Sequence, residues 1–205
     1  QWMWEQYAPE ERMRQNLGIR RRLAPLLDNN PDKIALANSI LFTLPGTPII
    51  YYGDEIGMGD NIYLDDRNGL RTPMQWNAEG NAGFSKAEEG ELYSPLIDNA
   101  EYGYRTNNVE TAMRNPGSLW NRLKQMIQVR KEHALLSGHQ YAVLDADQQT
   151  VLAILRQGEG DFLLAIHNLS GKPVNWSLQD DFFSGKSAID LLTENEVIFQ
   201  HRSPT

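Results

Sequence analysis

The feature that most constrains the fold is a helix-forming segment followed, after a two-residue break, by a short apolar run. Asn30 is a typical N-cap, Pro31 suits the first helical position, and apolar residues recur at helical spacing up to Leu44. The Pro-Gly pair at residues 45–46 ends this pattern. Residues 47–53 are then typical of a strand that is buried on both faces of a parallel sheet. The two elements together form half of a β/α repeat, so we predict an α/β fold for this region.

Further elements are predicted on both sides of this half-repeat. Upstream, the opening residues and a stretch at about 17–27 have helical patterns. Downstream, residues 54–115 are rich in Gly, Asn and Asp without sustained periodicity, and their aromatic side chains favour an ordered, functional loop. An amphipathic helix is predicted at 116–133. From about residue 139 the period becomes two, which predicts a small antiparallel β domain with strands at 151–156, 162–167, 174–178 and 187–191.

Charge and composition exclude several classes of function. The net charge of −8 argues against a nucleic-acid partner or an anionic membrane surface, because both need a basic footprint. The basic run at 20–22 lies in a helical pattern, so we interpret it as a solvated or acid-paired helix face. The chain has no cysteine, and its most apolar stretch is broken by prolines. We expect a soluble, cytoplasmic protein without disulfides, without a signal peptide and without a membrane span.

The four histidines are scattered along the chain and suggest no catalytic base. We expect each of them to be a surface or helix-end residue: His133, His139, His167 and His201.

The residues after the predicted strand carry the chemistry. Asp54 and Glu55 stand at its C-terminal end, and the following loop brings Arg67, Arg71 and Trp76. Carboxylates, planar guanidinium donors and an aromatic face together suit a neutral sugar, whose hydroxyls need paired hydrogen bonds. The same residues also fit a structural role, in which the carboxylates form caps or ion pairs and the arginines pin the loop.

These segments resemble a known family. Residues 45–58 (PGTPIIYYGDEIGM) resemble the last barrel strand of the α-amylase family, glycoside hydrolase family 13, and residues 71–76 (RTPMQW) resemble the loop of its α-glucosidase-like members. Residues 57–64 (GMGDNIYL) and 16–27 (NLGIRRRLAPLL) narrow the resemblance to the trehalose synthases of that family, which are maltose α-D-glucosyltransferases. The close resemblance covers about residues 7–135.

The resemblance implies a fold with two parts. The family fold is a (β/α)8 TIM barrel followed by a β-sandwich, with the active site on loops at the C-terminal ends of the barrel strands. Residues 1–138 would be the C-terminal part of the barrel, about helix 7, strand 8 and helix 8, with the long loop after strand 8. Residues 139–205 would be an incomplete C-terminal β domain.

The resemblance also implies roles for individual residues. The family's nucleophilic Asp, acid/base Glu and stabilising Asp would lie outside this chain, so we assign no catalytic residue and expect the chain alone to be inactive. Arg71 matches an arginine that holds the non-reducing glucose, Arg67 matches a loop arginine nearer the acceptor, and Asp66 would orient either one. Asp54 and Glu55 are expected as supports behind them, while Trp76 is left open between loop core and site wall.

The implied reaction is the isomerisation of maltose to trehalose through a covalent glucosyl intermediate. The expected partners are these disaccharides and the remainder of the barrel, with a homo-oligomer left open. No cofactor and no metal are expected. Two alternatives are a hydrolytic α-glucosidase of the same family and a non-catalytic carbohydrate-binding module.

Overall fold

The computed structural model describes the whole chain except residue 89, residues 146–148, residue 159, residues 178–182, residue 184 and residues 200–205. The described residues form two compact units. Unit 1 comprises residues 1–35 and 49–123, and unit 2 comprises residues 36–48 and 124–205.

Five α-helices are present in the described part of the chain. In order they are α1 (Trp2–Tyr7), α2 (Leu23–Leu26), α3 (Pro31–Thr43), α4 (Val109–Arg114) and α5 (Leu119–Glu132). Helix α3 begins as predicted, since the Asn30 side chain accepts hydrogen bonds from the backbone N–H groups of Asp32 (3.0 Å) and Lys33 (3.1 Å). Helix α5 confirms the predicted amphipathic helix, whereas α4 has no counterpart in the sequence analysis.

The helix predicted at about 17–27 is wrong for its first half. Strands β1 (Arg14–Gln15) and β2 (Gly18–Ile19) form an antiparallel hairpin there, and only α2 is helical. Asn16 at the turn has a positive φ of 53°, which Asn tolerates well, and Gly18 is a poor helix former. Residues 20–22 are therefore not helical, the Arg22 backbone is extended, and the interpretation of this run as a helix face is also wrong.

The apolar run at 47–53 is neither a helix nor a paired strand. A strand requires a hydrogen-bonded neighbour, and no described residue supplies one to this segment. Ile49 is consequently 83% exposed, and Tyr51 and Tyr52 are also exposed. At Gly53 the backbone turns with a positive φ of 85° into a 3-10 helix at Asp54–Ile56.

The long segment that follows is ordered, as predicted, but mainly through its polar groups. The buried Gln75 side chain donates to the backbone carbonyls of Tyr102 (3.0 Å) and Asn107. The backbone carbonyl of Gln75 accepts from the N–H of Val109 (2.9 Å). Most of the aromatic residues that favoured order lie at the surface: Tyr63, Trp76, Phe84 and Tyr93. A small apolar cluster of Ile56, Met58 and Met74 packs against Val109, Ala112 and Trp120.

The described residues of unit 2 include two antiparallel sheets. Strands β3 (Tyr141–Leu144), β4 (Val151–Gln157) and β5 (Phe162–Asn168) pair in that order, and β6 (Ser187–Ile189) pairs with β7 (Glu196–Ile198). The central strand β4 is the most deeply buried. Residues 174–177 of the strand predicted at 174–178 are not in a strand, and residue 178 lies outside the described residues. No helix in the described chain combines the length and apolar character needed to cross a membrane.

Candidate functional site

Arg22 lies at the centre of the polar network in unit 1. Its side chain is almost fully buried, and its Nη1 donates to the carbonyl of Tyr52 (2.7 Å) and to Asp54 Oδ1 (3.1 Å). Its Nη2 donates to the carbonyl of Leu70 at 2.9 Å. The guanidinium carbon also lies 5.0 Å and 4.9 Å from the ring centres of Tyr51 and Tyr52. Arg22 therefore joins the end of the apolar run to the loop near residue 70.

The Asp54 carboxyl is ion-paired, yet its pKa lies above its ordinary value. Burial raises this pKa because it removes water from the charged form, and the effect outweighs the opposing effect of the Arg22 guanidinium. The ion pair therefore compensates only part of the cost of burying the charge. Asp54 occupies a structural position in this network, as the alternative interpretation of the sequence proposed.

Arg20 holds residues 62–66, which are part of the loop at 61–70, through backbone carbonyls alone. The buried guanidinium donates to the carbonyls of Arg12 (3.1 Å from Nε) and Ile62 (3.0 Å from Nη2). Its Nη1 also donates to the carbonyls of Leu64 and Asp66. Three carbonyls of one loop thus converge on a single side chain.

Arg21 pairs with an acid instead. Its Nε donates to both carboxylate oxygens of Asp60, at 3.2 Å and 2.9 Å, and Asp60 Oδ2 also accepts from the Arg22 N–H at 2.7 Å. The expectation of acid pairing for the basic run is met by Arg21 with Asp60 and by Arg22 with Asp54, whereas Arg20 contacts backbone carbonyls.

The two ends of the loop at 61–70 approach each other closely at Asn61 and Gly69, a contact that we call the neck. The Asn61 N–H donates to the Gly69 carbonyl at 3.0 Å, and a Cβ at Gly69 would lie only 2.1 Å from the Asn61 carbonyl oxygen. Asp66 lies within the loop and has a positive φ of 50°. A glycine is required at position 69 for this approach of two backbone segments.

The two arginines predicted to bind sugar are both exposed. Arg67 directly precedes a 3-10 helix at Asn68–Leu70, and Arg71 directly follows it. In the part of the chain that the structure describes, neither guanidinium has a hydrogen-bond or ion-pair partner. These two side chains are therefore available to an external ligand, in contrast to those of Arg20 and Arg22.

The remaining predicted residues surround the loop in different ways. The Asp66 carboxylate is exposed and accepts from Gln15 Nε2 at 3.3 Å, so it pairs with neither arginine. Glu55 is half-buried beside Asp54. Trp76 is 50% exposed, which places it at the surface rather than in the loop core. The structure thus brings Asp66, Arg67 and Arg71 onto one loop.

One histidine departs from the expectation of a surface position. His167 is buried, with Nε2 3.0 Å from Thr43 Oγ1 and Nδ1 3.4 Å from Ser39 Oγ. Its burial follows from the alternation of side chains along β5: Ala165 and His167 are buried, whereas Ile166 and Asn168 are exposed. His139 is exposed and His133 lies at a helix end, as expected, and His201 lies outside the described residues.

Sequence reasoning missed the structural importance of Arg20 and Arg22. A signal was available: Asn16 and Gly18 disfavour a helix, and an extended run of arginines alternates its side chains between two faces. The acceptors themselves could not be identified from the sequence. The side-chain acceptors of Arg22 lie at least 30 residues further along the chain, and the loop carbonyls that Arg20 binds lie at least 42 residues further.

Comparison with family models identifies two matching regions. Residues 19–138 match the model of the alpha amylase catalytic domain, and residues 141–202 match that of the maltogenic amylase C-terminal domain.

Curated relatives have similar sequences over most of this chain. The trehalose synthase of Pimelobacter sp. (strain R48) is 43% identical over 195 residues, which are 93% of this chain and 34% of that protein. The trehalose synthase/amylase TreS of Mycolicibacterium smegmatis is 45% identical over 189 residues, 87% of this chain and 32% of that protein. The chain spans about a third of the length of the curated relatives it matches.

Solved structures agree in fold. A Bacillus licheniformis trehalose-6-phosphate hydrolase is 30% identical with a TM-score of 0.60, covering 73% of this chain and 32% of that one. A trehalulose synthase, at 21% identity and a TM-score of 0.65, covers 90% of this chain and 41% of that one, and supports the fold alone.

Proposed function

Because this chain belongs to the α-amylase family, we propose that it is part of a trehalose synthase that converts maltose to trehalose. The observation that supports this most directly is the contrast among its arginines. Arg67 and Arg71 are exposed and have no partner among the described residues, on a loop whose backbone is held by buried side chains. Unpaired guanidiniums on a rigid support are well suited to the adjacent hydroxyls of a sugar.

The proposed reaction retains the anomeric configuration. An aspartate attacks the anomeric carbon of the non-reducing glucose, a glutamic acid protonates the leaving oxygen, and glucose is released within the site. The glutamate then takes the proton from the anomeric hydroxyl of the released glucose, which attacks the covalent intermediate and forms trehalose. These catalytic carboxylates, and a third stabilising aspartate, lie outside this chain in our proposal, so the chain alone is inactive.

The residues of this chain bind and enclose the sugar in the proposal. Arg71 holds the non-reducing glucose, Arg67 lies nearer the acceptor, and Asp66 orients them. Asp54 and Glu55 support the loop from behind, and Trp76 offers its exposed ring as a wall of the site. The segment from 54 to 115 acts as part of a lid that excludes water, which separates isomerisation from hydrolysis.

The domain boundary belongs to the same proposal. We place the end of the barrel part at residue 138 and the start of the β domain at residue 139. Limited proteolysis that cleaved first within 133–141 would support this boundary.

Arg71→Ala tests the proposed function in the full-length protein. We expect kcat/KM for maltose to fall by about 10- to 100-fold, because a charge-assisted hydrogen bond to the sugar is lost. The share of free glucose among the products is expected to rise. Arg105→Ala is a matched control, since Arg105 is another exposed arginine of the long segment and pairs with Asp98 at 3.6 Å. Unchanged trehalose formation and an unchanged product ratio in Arg71→Ala would refute the assigned role.

A hydrolytic α-glucosidase is the second candidate, and the similarity to a solved trehalose-6-phosphate hydrolase favours it. In that reaction, water takes the place of the released glucose. Chromatography of the products from maltose distinguishes the two, because the synthase yields trehalose and the hydrolase yields only glucose. Maltose binding by this chain in calorimetry, without turnover by the full-length protein, would instead favour a carbohydrate-binding module.

A further inference from the structure

We propose that Arg20 and Arg22 are positioning residues, each of which fixes one of the two sugar-binding arginines. Arg20 would fix Arg67, and Arg22 would fix Arg71. This inference rests on the proposed function and adds two residues to it that contact no sugar themselves.

The pairing follows from which carbonyls the two guanidiniums bind. Arg20 binds the carbonyl of Asp66, which belongs to the peptide group directly before Arg67. Arg22 binds the carbonyl of Leu70 at 2.9 Å, which belongs to the peptide group directly before Arg71. A planar peptide group extends to the Cα of the next residue, so holding its oxygen also helps to fix the position of that Cα. Each buried arginine therefore orients the base of one exposed arginine.

Further contacts make both supports rigid. Arg20 also binds the carbonyls of Ile62 and Leu64, which alternate with Asp66 along the loop. Arg22 is anchored on its other side by the carbonyl of Tyr52 and by Asp54. A guanidinium can bind several carbonyls at once because its five N–H donors lie in one plane, and lysine cannot reproduce that arrangement.

A rigid support matters because two arginines must address the hydroxyls of one small ligand. Preorganised groups avoid the entropic cost of being ordered when the ligand binds. A displacement of about 1 Å at a reacting or binding group can reduce the rate by about 100-fold. Loss of either support should therefore weaken transition-state binding more than it weakens the fold.

Double-mutant cycles in the full-length protein test the pairing. We expect Arg20→Lys and Arg22→Lys each to lower kcat/KM for maltose by about 10-fold. In an Arg71→Ala background the effect of Arg22→Lys should shrink to less than about 3-fold, and that of Arg20→Lys should persist. The converse is expected in an Arg67→Ala background. A general loss of structure would reduce activity equally in both backgrounds.

Arg14→Lys is the matched control. Arg14 also donates to backbone carbonyls, those of Ala8 (2.8 Å) and Pro9 (3.0 Å), but none of them belongs to the loop at 61–70. We expect its kcat/KM to stay within about 2-fold of the parent and its effect to be the same in either background.

Amide hydrogen exchange provides a readout that is independent of the reaction. Peptides covering residues 62–71 should exchange faster in Arg20→Lys and Arg22→Lys, while peptides covering α3 should not change. Unchanged exchange in 62–71, or effects on kcat/KM that are the same in both alanine backgrounds, would overturn the inference. If Arg67→Ala and Arg71→Ala leave kcat/KM unchanged, the proposed function and this inference both fail, and faster exchange would then report only a structural role.

Discussion

Arg22 and Arg71 carry the same side chain and have opposite environments. Arg22 is 3% exposed and satisfies two carbonyls and a carboxylate, whereas Arg71 is exposed and has no partner among the described residues. Burying a guanidinium is costly unless its donors are paired, so the fold places it where acceptors converge. The chemistry of a residue in this chain is thus set by the acceptors that surround it.

His167 gives a prediction at the same scale. Burial lowers the pKa of its imidazole below the ordinary value of 6.5, so below pH 6.5 the unfolded state binds a proton that the folded state resists. The contribution of His167 to the free energy of unfolding is therefore greatest above about pH 6.5. It decreases as the pH falls below this value, by up to about 1.4 kcal/mol per pH unit. Urea unfolding between pH 7.5 and 5.5, a range set on either side of about 6.5, measures this slope.

His167→Gln should flatten that slope, because glutamine does not titrate and can still pair with the hydroxyls of Ser39 and Thr43. His139→Gln is the control, since His139 is exposed. A slope that is unchanged in His167→Gln would show that other groups cause the pH dependence.

At the scale of elements, the loop at 61–70 and helix α3 are specified in different ways. Helix α3 is determined by local signals, because Asn30 caps it and apolar residues recur along it at helical spacing. The loop depends on distant contacts, because its carbonyls bind arginines that lie more than 40 residues earlier. The first was predicted from the sequence, and the second was not.

Gly69→Ala tests the neck of the loop. An added methyl group would lie 2.1 Å from the Asn61 carbonyl oxygen, so one of the two backbone segments must move. We expect a loss of about 1–3 kcal/mol in the free energy of unfolding, measured by urea denaturation, and a lower kcat/KM for maltose. Gly80→Ala should change stability by less than about 0.5 kcal/mol, because nothing lies within 4 Å of the added atom. Equal stability losses in the two variants would contradict the proposed neck.

At the scale of the whole molecule, the expected fold class is confirmed: the chain contains the last part of a (β/α)8 barrel followed by an antiparallel β domain. The chain spans about a third of its curated relatives, and the barrel strand expected at 47–53 has no partner in the described chain. A strand without neighbours exposes both its apolar side chains and its backbone polar groups.

The 205-residue chain should therefore self-associate through the segment at 47–52. Ile49→Lys places a charge where a side chain is now 83% exposed, and we expect it to reduce the associated fraction in sedimentation velocity at micromolar concentration. Leu17→Lys is the control, because Leu17 is an equally exposed apolar residue on the β1–β2 turn. Similar effects of both substitutions would indicate nonspecific association.

The sequence by itself determined the family, helices α3 and α5, and the change to a β domain, because capping residues, short-range periodicity and local motifs encode these features within a few residues. It also placed Arg67 and Arg71 in one loop. Only the tertiary structure decided that Arg20 and Arg22 are buried and hydrogen-bonded, that Arg67 and Arg71 have no partner among the described residues, and that Asp54 is ion-paired. The physical reason is that a hydrogen-bond partner 30 to 48 residues away leaves no trace in local sequence, and folding alone brings the two groups together.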